Sequence, residues 1–467
     1  MHIDGFDNIK LTGLAGICAS CAIILPSCNE AGIVQKYPNI LIITVDNLGY
    51  GDLPAYNSRS PVITPNIDLL ASQGAKLTNF YTASPTSSAS RAALLTGRIP
   101  QRNKLDYQLP GIEGNYGVGL PHSEIIIPQI IKTSPAKYVT GAFGKWNIGF
   151  APGSRPAERG FDEFLGHVSG NINYYTHFYN DRHDLYHNTE EIFRDSIYCS
   201  DLFADTAIDF IKDNTGKSKP WFVYLPFNAP HYPNARNNPP GVPNVWQAPD
   251  PAFEVYGLGP DETDPKKRYN AVLTALDASI GRVLRSLDSL GVSDNTFVFF
   301  FSDNGAFMLK DKGLEVATNE PLRDGGVTCW EGGLRVAALA RWPYKIKANS
   351  VIETPLWSPD LFIACVKLSG TDIPEDLILD GKDPLPVLLG KTKRSPHDFF
   401  FFQYEKHSAL RSDNWKIVRT DPKEEWQLFN LKEDLSETVN LAPQKPELVK
   451  KLNRYYNLKM EEISLSP

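Results

Sequence analysis

Residues 39–45, Asn-Ile-Leu-Ile-Ile-Thr-Val, form a continuous β-branched apolar run that stops at Asp46. A strand with one wet face alternates apolar and polar side chains. A strand with no polar positions must be covered on both sides, as in a parallel sheet layered between helices. Residues 221–225 and 296–301 repeat the style. Between them lie helical periods, clearest over 268–290, where apolar residues fall at 272, 273, 276, 280, 283, 284, 287 and 290 before Gly291. The spacing predicts an α/β fold: a large mixed, mostly parallel sheet sandwiched by helices. After residue 390 the pattern changes to short strands at 399–404, 415–418 and 426–429 and a closing helix near 446–462. This reads as a smaller C-terminal α+β subdomain over 391–467, after a catalytic domain over 36–390. Residues 234–264, rich in Pro, Asn and Gly, read as a long functional loop.

Composition removes some classes of function. Hydrophobic residues at 42% and charged residues at 22% allow a large core and exclude a disordered chain. With 47 basic against 54 acidic residues the net charge is −7, which argues against a nucleic-acid partner but not against a small anion in a locally positive cleft.

The chain opens with an apolar run at 11–25, preceded by Lys10 and closed by Pro26, Ser27 and Cys28. A bilayer span needs about 20 residues, so the run reads as the core of a secretory signal occupying 1–27. Leu25-Pro26-Ser27-Cys28 resembles a bacterial lipobox, which makes Cys28 a lipid attachment site and the protein an exported, envelope-tethered lipoprotein. Cys18 and Cys21 then leave with the signal, and Cys199, Cys329 and Cys365 are too dispersed for a disulfide framework or a CxxC metal site.

The polar residues of interest follow the strands, at the sheet edge where ligands bind in open α/β folds. Asp46-Asn47 and Asp303-Asn304-Gly305 each bring two hard oxygen donors to one turn, a set suited to Ca²⁺ or Mg²⁺. Each is also an ordinary turn sequence. Residues 87–97, Ser-Ser-Ala-Ser-Arg-Ala-Ala-Leu-Leu-Thr-Gly, open a helix with Arg91 in its first turn. That is either an anion site or a plainly capped helix.

The 87–97 segment matches throughout the signature of the type I sulfatases of the alkaline-phosphatase-like superfamily: Cys or Ser, any residue, Pro or Ala, Ser, Arg, three residues, Leu, Thr or Ser, Gly. The resemblance extends over 37–445. It includes Gly144-Lys145-Trp146, Ala229-Pro230-His231-Tyr232-Pro233, Ser302 to Gly305, Glu331-Gly332-Gly333-Leu334-Arg335, and the closing Leu410-Arg411 with Asn414-Trp415-Lys416. It implies a sulfatase acting on a sulfated carbohydrate, with Ser87 oxidised to formylglycine by a radical-type maturation enzyme. The formylglycine hydrate would be the nucleophile: one hydroxyl attacks sulfur, and the other collapses to the aldehyde and expels sulfate. It implies Asp46, Asn47, Asp303 and Asn304 as Ca²⁺ ligands. Arg91 and Lys145 would orient the formylglycine and the sulfate, and His231 would protonate the leaving alcohol.

Three positions depart from the family pattern. Asn47 stands where a second aspartate is usual, which removes one negative charge from the cation site. Asn147 stands where a histidine contacts the formylglycine; it can still hydrogen-bond but cannot titrate. Gly326 stands where a sulfate-binding lysine is usual, and Arg323, Lys310 or Lys312 are the candidates to replace its charge. These departures keep two rivals open: a degenerate sulfatase that binds sulfated glycan without turnover, and a phosphatase or phosphodiesterase of the same superfamily. His167 and residues 171–175 (NINYY) lie where the family builds substrate subsites, although paired tyrosines also serve plain packing. His122, His183 and His187 have no ligand spacing and read as surface residues, while Trp146 and Trp330 read as packing supports.

Overall fold

The computed structural model describes residues 37–110, 117, 119–232, 246–308 and 315–465. The signal, Cys28, Pro233, Lys310 and Lys312 lie outside them.

The strands are β1 (Asn39–Val45), β2 (Ala75–Tyr81), β3 (Val139–Lys145), β4 (Glu163–His167), β5 (Phe178–Tyr179), β6 (Arg182–His183), β7 (Tyr186–His187), β8 (Glu190–Glu191), β9 (Trp221–Pro226), β10 (Thr296–Ser302), β11 (Arg335–Arg341), β12 (Ser350–Ile352), β13 (Leu356–Trp357), β14 (Phe400–Tyr404), β15 (His407–Ser412), β16 (Trp415–Arg419) and β17 (Gln427–Asn430). The main helices are α1 (Pro65–Gln73), α2 (Ser87–Thr96), α3 (Cys199–Asn214), α4 (Pro265–Ser289), α5 (Asp360–Ser369) and α6 (Pro446–Leu465).

Among the described residues one eleven-stranded sheet runs in the order β12-β2-β11-β10-β1-β9-β3-β4-β7-β8, with β13 beside β2. From β10 across β1, β9 and β3 to β4 the pairing is parallel, and β11 joins β10 antiparallel. The three apolar runs therefore sit side by side at the centre of a mixed, mostly parallel sheet. β1 is buried along its whole length. Leu41, Ile43 and Val45 pack on one face with Phe203, Leu276 and Ile280 from α3 and α4. Ile40 and Ile42 pack on the other with Leu94, Leu95 and Phe362 from α2 and α5. That two-sided burial is why no charged residue interrupts the run.

β14 to β17 form a separate antiparallel sheet, crossed by α6 and packed on Tyr81 and Trp357. Its junction with the large sheet contains buried charge. Lys416 Nζ lies 3.0 Å from Glu331 Oε1 and 2.8 Å from Glu437 Oε1, with all three side chains inaccessible to water. Tyr81 donates its hydroxyl to Glu331, and Arg335 lies 3.5 Å from the same carboxylate. Glu437 Oε2 accepts the Glu331 N–H at 2.7 Å. Trp146 and Trp330 are both buried, as expected of packing supports. Among the described residues Cys199, Cys329 and Cys365 are buried and unpaired. The described part of the 234–264 loop includes a short helix, Asp250–Glu254.

Candidate active site

Because β1, β9, β10 and β3 run parallel, their carboxyl ends share one edge. Asp46, Asp303 and Lys145 stand at the ends of β1, β10 and β3, and the turn after β9 carries His231. The Asp46 N–H bonds to Ala229 O at 3.0 Å and the Asp303 N–H to Val45 O at 2.9 Å, which ties the turns together. Gly305 holds the second turn close. Its N–H reaches Gly333 O at 3.2 Å, and a Cβ there would lie 1.7 Å from Gly332 O. The Asp-Asn-Gly and Glu-Gly-Gly motifs thus need each other: their backbones meet where no side chain fits.

The start of α2 faces this edge. Ser87 is only 4% exposed. Its hydroxyl donates to Asp46 Oδ1 at 3.0 Å and approaches Asn304 Oδ1 at 3.4 Å, while Lys145 Nζ donates to Ser87 Oγ at 3.1 Å. Lys145 Nζ also contacts Asp46 Oδ2 at 2.5 Å. Arg91, one turn along α2, places NH2 2.8 Å from Asp303 Oδ2 and 3.9 Å from Asp46 Oδ2, and donates to Lys145 O and the Tyr224 hydroxyl. Asn47 closes the group: its N–H donates to Asp303 Oδ1 at 3.3 Å, and its Oδ1 accepts from Asn304 Nδ2 at 2.5 Å. Asn47 has φ 63°, left-handed backbone that asparagine tolerates better than most residues.

Burial and charge act against each other here. Burial favours a protonated Asp46, but Lys145, His231 and Arg91 outweigh it and hold the carboxyl below its usual range. Asp303 is pushed up, by burial and then by the Asp46 charge beside it. Burial pulls Lys145 down despite Asp46. Their short contact and matched charges make the Asp46–Lys145 pair ionic. His231 packs between Tyr232 and Phe307 and retains an edge to solvent. Burial, against the pull of Asp46, pushes the imidazole down to about 4. Its Nδ1 lies 2.8 Å from Tyr232 O, so the neutral ring donates there and keeps a lone pair on Nε2.

Nine of the ten residues expected from the sequence meet at or beside this edge: Asp46, Asn47, Ser87, Arg91, Lys145, Asn147, His231, Asp303 and Asn304. Asn147 Oδ1 accepts from Ser88 Oγ at 3.1 Å and from Gln108 Nε2 at 3.2 Å. Arg323 is not among them. It is exposed, stacks on Trp330 with its guanidinium carbon 3.6 Å from the ring centroid, and donates to Glu437 O. The space next to Gly326 is filled by the Phe307 ring, whose Cδ1 lies 2.0 Å from where a Cβ would be.

Tyr174 is buried and donates its hydroxyl to His231 O at 2.6 Å, so it braces the histidine turn. His122 and His187 are exposed, but His183, read from sequence as a surface residue, is buried at 6% exposure because β6 folds under Phe193. Gln108 was not legible in advance. Its Oε1 accepts the Ser88 N–H at 3.1 Å, capping α2 from a loop twenty residues away. No local pattern announces such a cap.

The donor set fits a hard divalent cation: two carboxylates and two amide oxygens, on two turns that converge on Ser87. It contains no soft ligand.

Known proteins share this chain's fold and much of its sequence. Residues 38–371 match the family model described as Sulfatase. Residues 328–463 match that of the N-sulphoglucosamine sulphohydrolase C-terminal region. The chain is 34% identical to the N-acetylgalactosamine-6-sulfatase of Homo sapiens over 414 residues, covering 82% of this chain and 73% of that protein. Against the same enzyme of Canis lupus familiaris the identity is 32%, covering 83% and 75%. The crystal structure of Ps i-CgsB in complex with k-i-k-neocarrahexaose superposes with a TM-score of 0.80 at 30% identity, covering 92% of this chain and 93% of the other.

Proposed function

The chain belongs to the sulfatase family and is a sulfuric ester hydrolase, and from that premise we propose that it removes sulfate from a sulfated carbohydrate at the Ser87 cluster. The observation that carries the reading is the placement of Ser87: its hydroxyl touches an anion, a cation and an amide at once, at the edge where the strands end. The carbohydrate rests on the relatives. One is named for N-acetylgalactosamine 6-sulfate, and another is solved with a neocarrahexaose.

Asp46, Asn47, Asp303 and Asn304 would hold Ca²⁺. The ion supplies charge neutralisation, and formylglycine made from Ser87 supplies a stronger nucleophile than a serine hydroxyl. The rest follows from the chain's own side chains. Lys145 donates to the oxygen at position 87 and lowers the cost of negative charge there. Arg91, fixed by Asp303 and Tyr224, adds a second buried cation that favours an anionic ester. His231 presents Nε2 to the leaving oxygen. An anionic sulfate beside the ring raises its proton affinity, the direction needed to protonate the departing alcohol. Asn147 orders Ser88 and Gln108, and through them the first turn of α2.

The test is mass spectrometry of the Ser87 peptide after co-expression with a radical-type maturation enzyme, alongside sulfate release from a model aryl sulfate and a sulfated oligosaccharide. Loss of two hydrogens at Ser87 together with turnover supports the mechanism, whereas an unmodified Ser87 in the native host removes it. Export with a lipid at Cys28 belongs to the same proposal and rests on the 11–28 segment; no helix among the described residues is long and apolar enough to cross a membrane. Labelling with a radioactive fatty acid, lost in C28A, checks it.

A further inference from the structure

Between β4 and α3 the chain makes an excursion of small hairpins. It contains a group of side chains that the active site does not use. His177 immediately precedes β5, and His183 ends β6, its pairing partner. Asp195 lies on the limb that returns to α3. One ligand atom from each lies within 4.8 Å of the others.

The ring nitrogens are already sorted. His177 Nε2 lies 3.0 Å from Ile197 O, so it carries the proton, and Nδ1 is left with a lone pair. His183 Nδ1 lies 3.0 Å from Glu191 Oε1, so it donates there and leaves the lone pair on Nε2. His177 Nδ1 and His183 Nε2 are both buried and meet no hydrogen-bond donor. A buried imidazole lone pair without a donor is costly, and here two of them belong to a group that an exposed carboxylate completes. A histidine that donates one nitrogen to a carbonyl or carboxylate and turns the other inward is prepared as a metal ligand. His177 has φ 58° and Ser196, next to Asp195, has φ 71°; both are left-handed conformations that non-glycine residues adopt at some cost. Burial keeps His177 at about 4, so its lone pair is free at neutral pH.

The geometry assigns to His177 Nδ1, His183 Nε2 and Asp195 a structural site for Zn²⁺ or a similar borderline transition metal, separate from the oxygen-rich group at Ser87. Two imidazoles and one carboxylate suit zinc and not calcium. Zinc bonds of roughly 2.0–2.2 Å bring ligand atoms to about 3.4 Å, so the three side chains would draw together on binding, and water completes the tetrahedron. The ion would pin the returning limb to the outgoing one. The outgoing limb holds Tyr174, which braces His231, and Asn171, whose amide donates to Tyr232 O. The site would thus stiffen the histidine turn from behind.

The probe is Zn²⁺, and Co²⁺ for spectroscopy, added to tag-free protein in millimolar Ca²⁺. The expected result is one retained equivalent of Zn²⁺ and a visible Co²⁺ band of tetrahedral intensity. D195A, altered at an exposed position and therefore folded, should weaken Zn²⁺ binding at least tenfold, and H183A should abolish it. Retention of no zinc by the wild-type protein, or equal retention by D195A and H183A, overturns the assignment. Neither readout depends on sulfate release, so failure here leaves the activity at Ser87 untouched, and the reverse.

Discussion

Lys416 offers a sharp test of how the C-terminal sheet is held. In K416M the methionine fills the volume but leaves Glu331 and Glu437 buried against each other, with the Tyr81 hydroxyl and Arg335 at 3.5 Å left to serve the first. Removing one partner of a buried pair costs about 3–5 kcal/mol. The remaining guanidinium places the expectation at the lower end, about 3 kcal/mol at pH 8. The pH dependence separates this account from a simple packing loss. Burial pushes Glu437 up to about 7, even with Lys416 pulling it down. An acid whose folded value is raised binds its proton more tightly in the native state. Its contribution is therefore most favourable below pH 4.5 and is lost as pH rises toward 7. Without Lys416 the value rises further, so at pH 5.5 this carboxyl is neutral and its share of the cost disappears, while Glu331, held down to about 2 against burial, chiefly by Lys416, keeps its share. Guanidinium denaturation at pH 5.5 and 8.0 measures both. K416M should lose clearly less at pH 5.5 than at pH 8, and K416M/E437Q should bring the pH 8 loss down toward the pH 5.5 value. Equal losses at the two pH values, or a loss under about 1 kcal/mol at pH 8, would refute the buried-charge reasoning.

Two further perturbations probe the scaffold. Asp277 of α4 accepts the N–H groups of Asn66 and Ile67 and so caps α1 from outside, while burial pushes its carboxyl up to about 6. Wild-type stability from this group falls as pH rises from 3.8 to 6, so the stability of D277N relative to wild type should climb across that window in pH-dependent denaturation. Gly326 accommodates the Phe307 ring. G326A should cost about 1–3 kcal/mol through overpacking, and F307A should at least halve that cost in a double-mutant cycle read by denaturant midpoint.

The sequence revealed the fold where residue type alone carried the information, and failed where partners were distant. β1, β9 and β10 were legible because two-sided burial removes every charged position from 39–45, 221–225 and 296–301. β3 (VTGAFGK) was not, because Gly141 and Gly144 interrupt the apolar run. Gly144 is required because its φ is 129° and a Cβ on it would lie 2.0 Å from Pro226 O of β9. β15 (HSALRS) was missed for a related reason: its Ser408 and Arg411 are buried polar residues satisfied by Tyr456 of α6 and, across the junction, by Tyr81. At the site, short motifs fixed Asp46, Ser87, Lys145 and Asp303 because each sits at a strand or helix end. The roles of Arg323 and Phe307 were settled by packing between segments far apart in sequence. His177, His183 and Asp195 obey no ligand spacing; only the hairpin brings them together.

Asn47 shows why the electrical state of the site matters more than the number of its ligands. Asp46 and Asp303 are matched by Arg91 and Lys145, a neutral set of four buried charges. A divalent cation takes the set to +2, and an anionic ester then returns it toward neutrality. The additional aspartate of the family pattern would subtract one charge at each stage. N47D should therefore tighten Ca²⁺ and loosen sulfate. The geometry allows it, because Asp keeps the oxygen that accepts from Asn304 Nδ2 and tolerates the left-handed backbone at 47. Two unit charges about 4 Å apart interact by roughly 4 kcal/mol at the effective dielectric of a protein surface, so even a screened remainder amounts to tenfold or more. Calorimetry with Ca²⁺, and inhibition by free sulfate in saturating Ca²⁺, should move in opposite directions by about that factor. If both constants move together, or neither moves, position 47 does not face the cation, and the oxygen set at the strand ends is not the cation site.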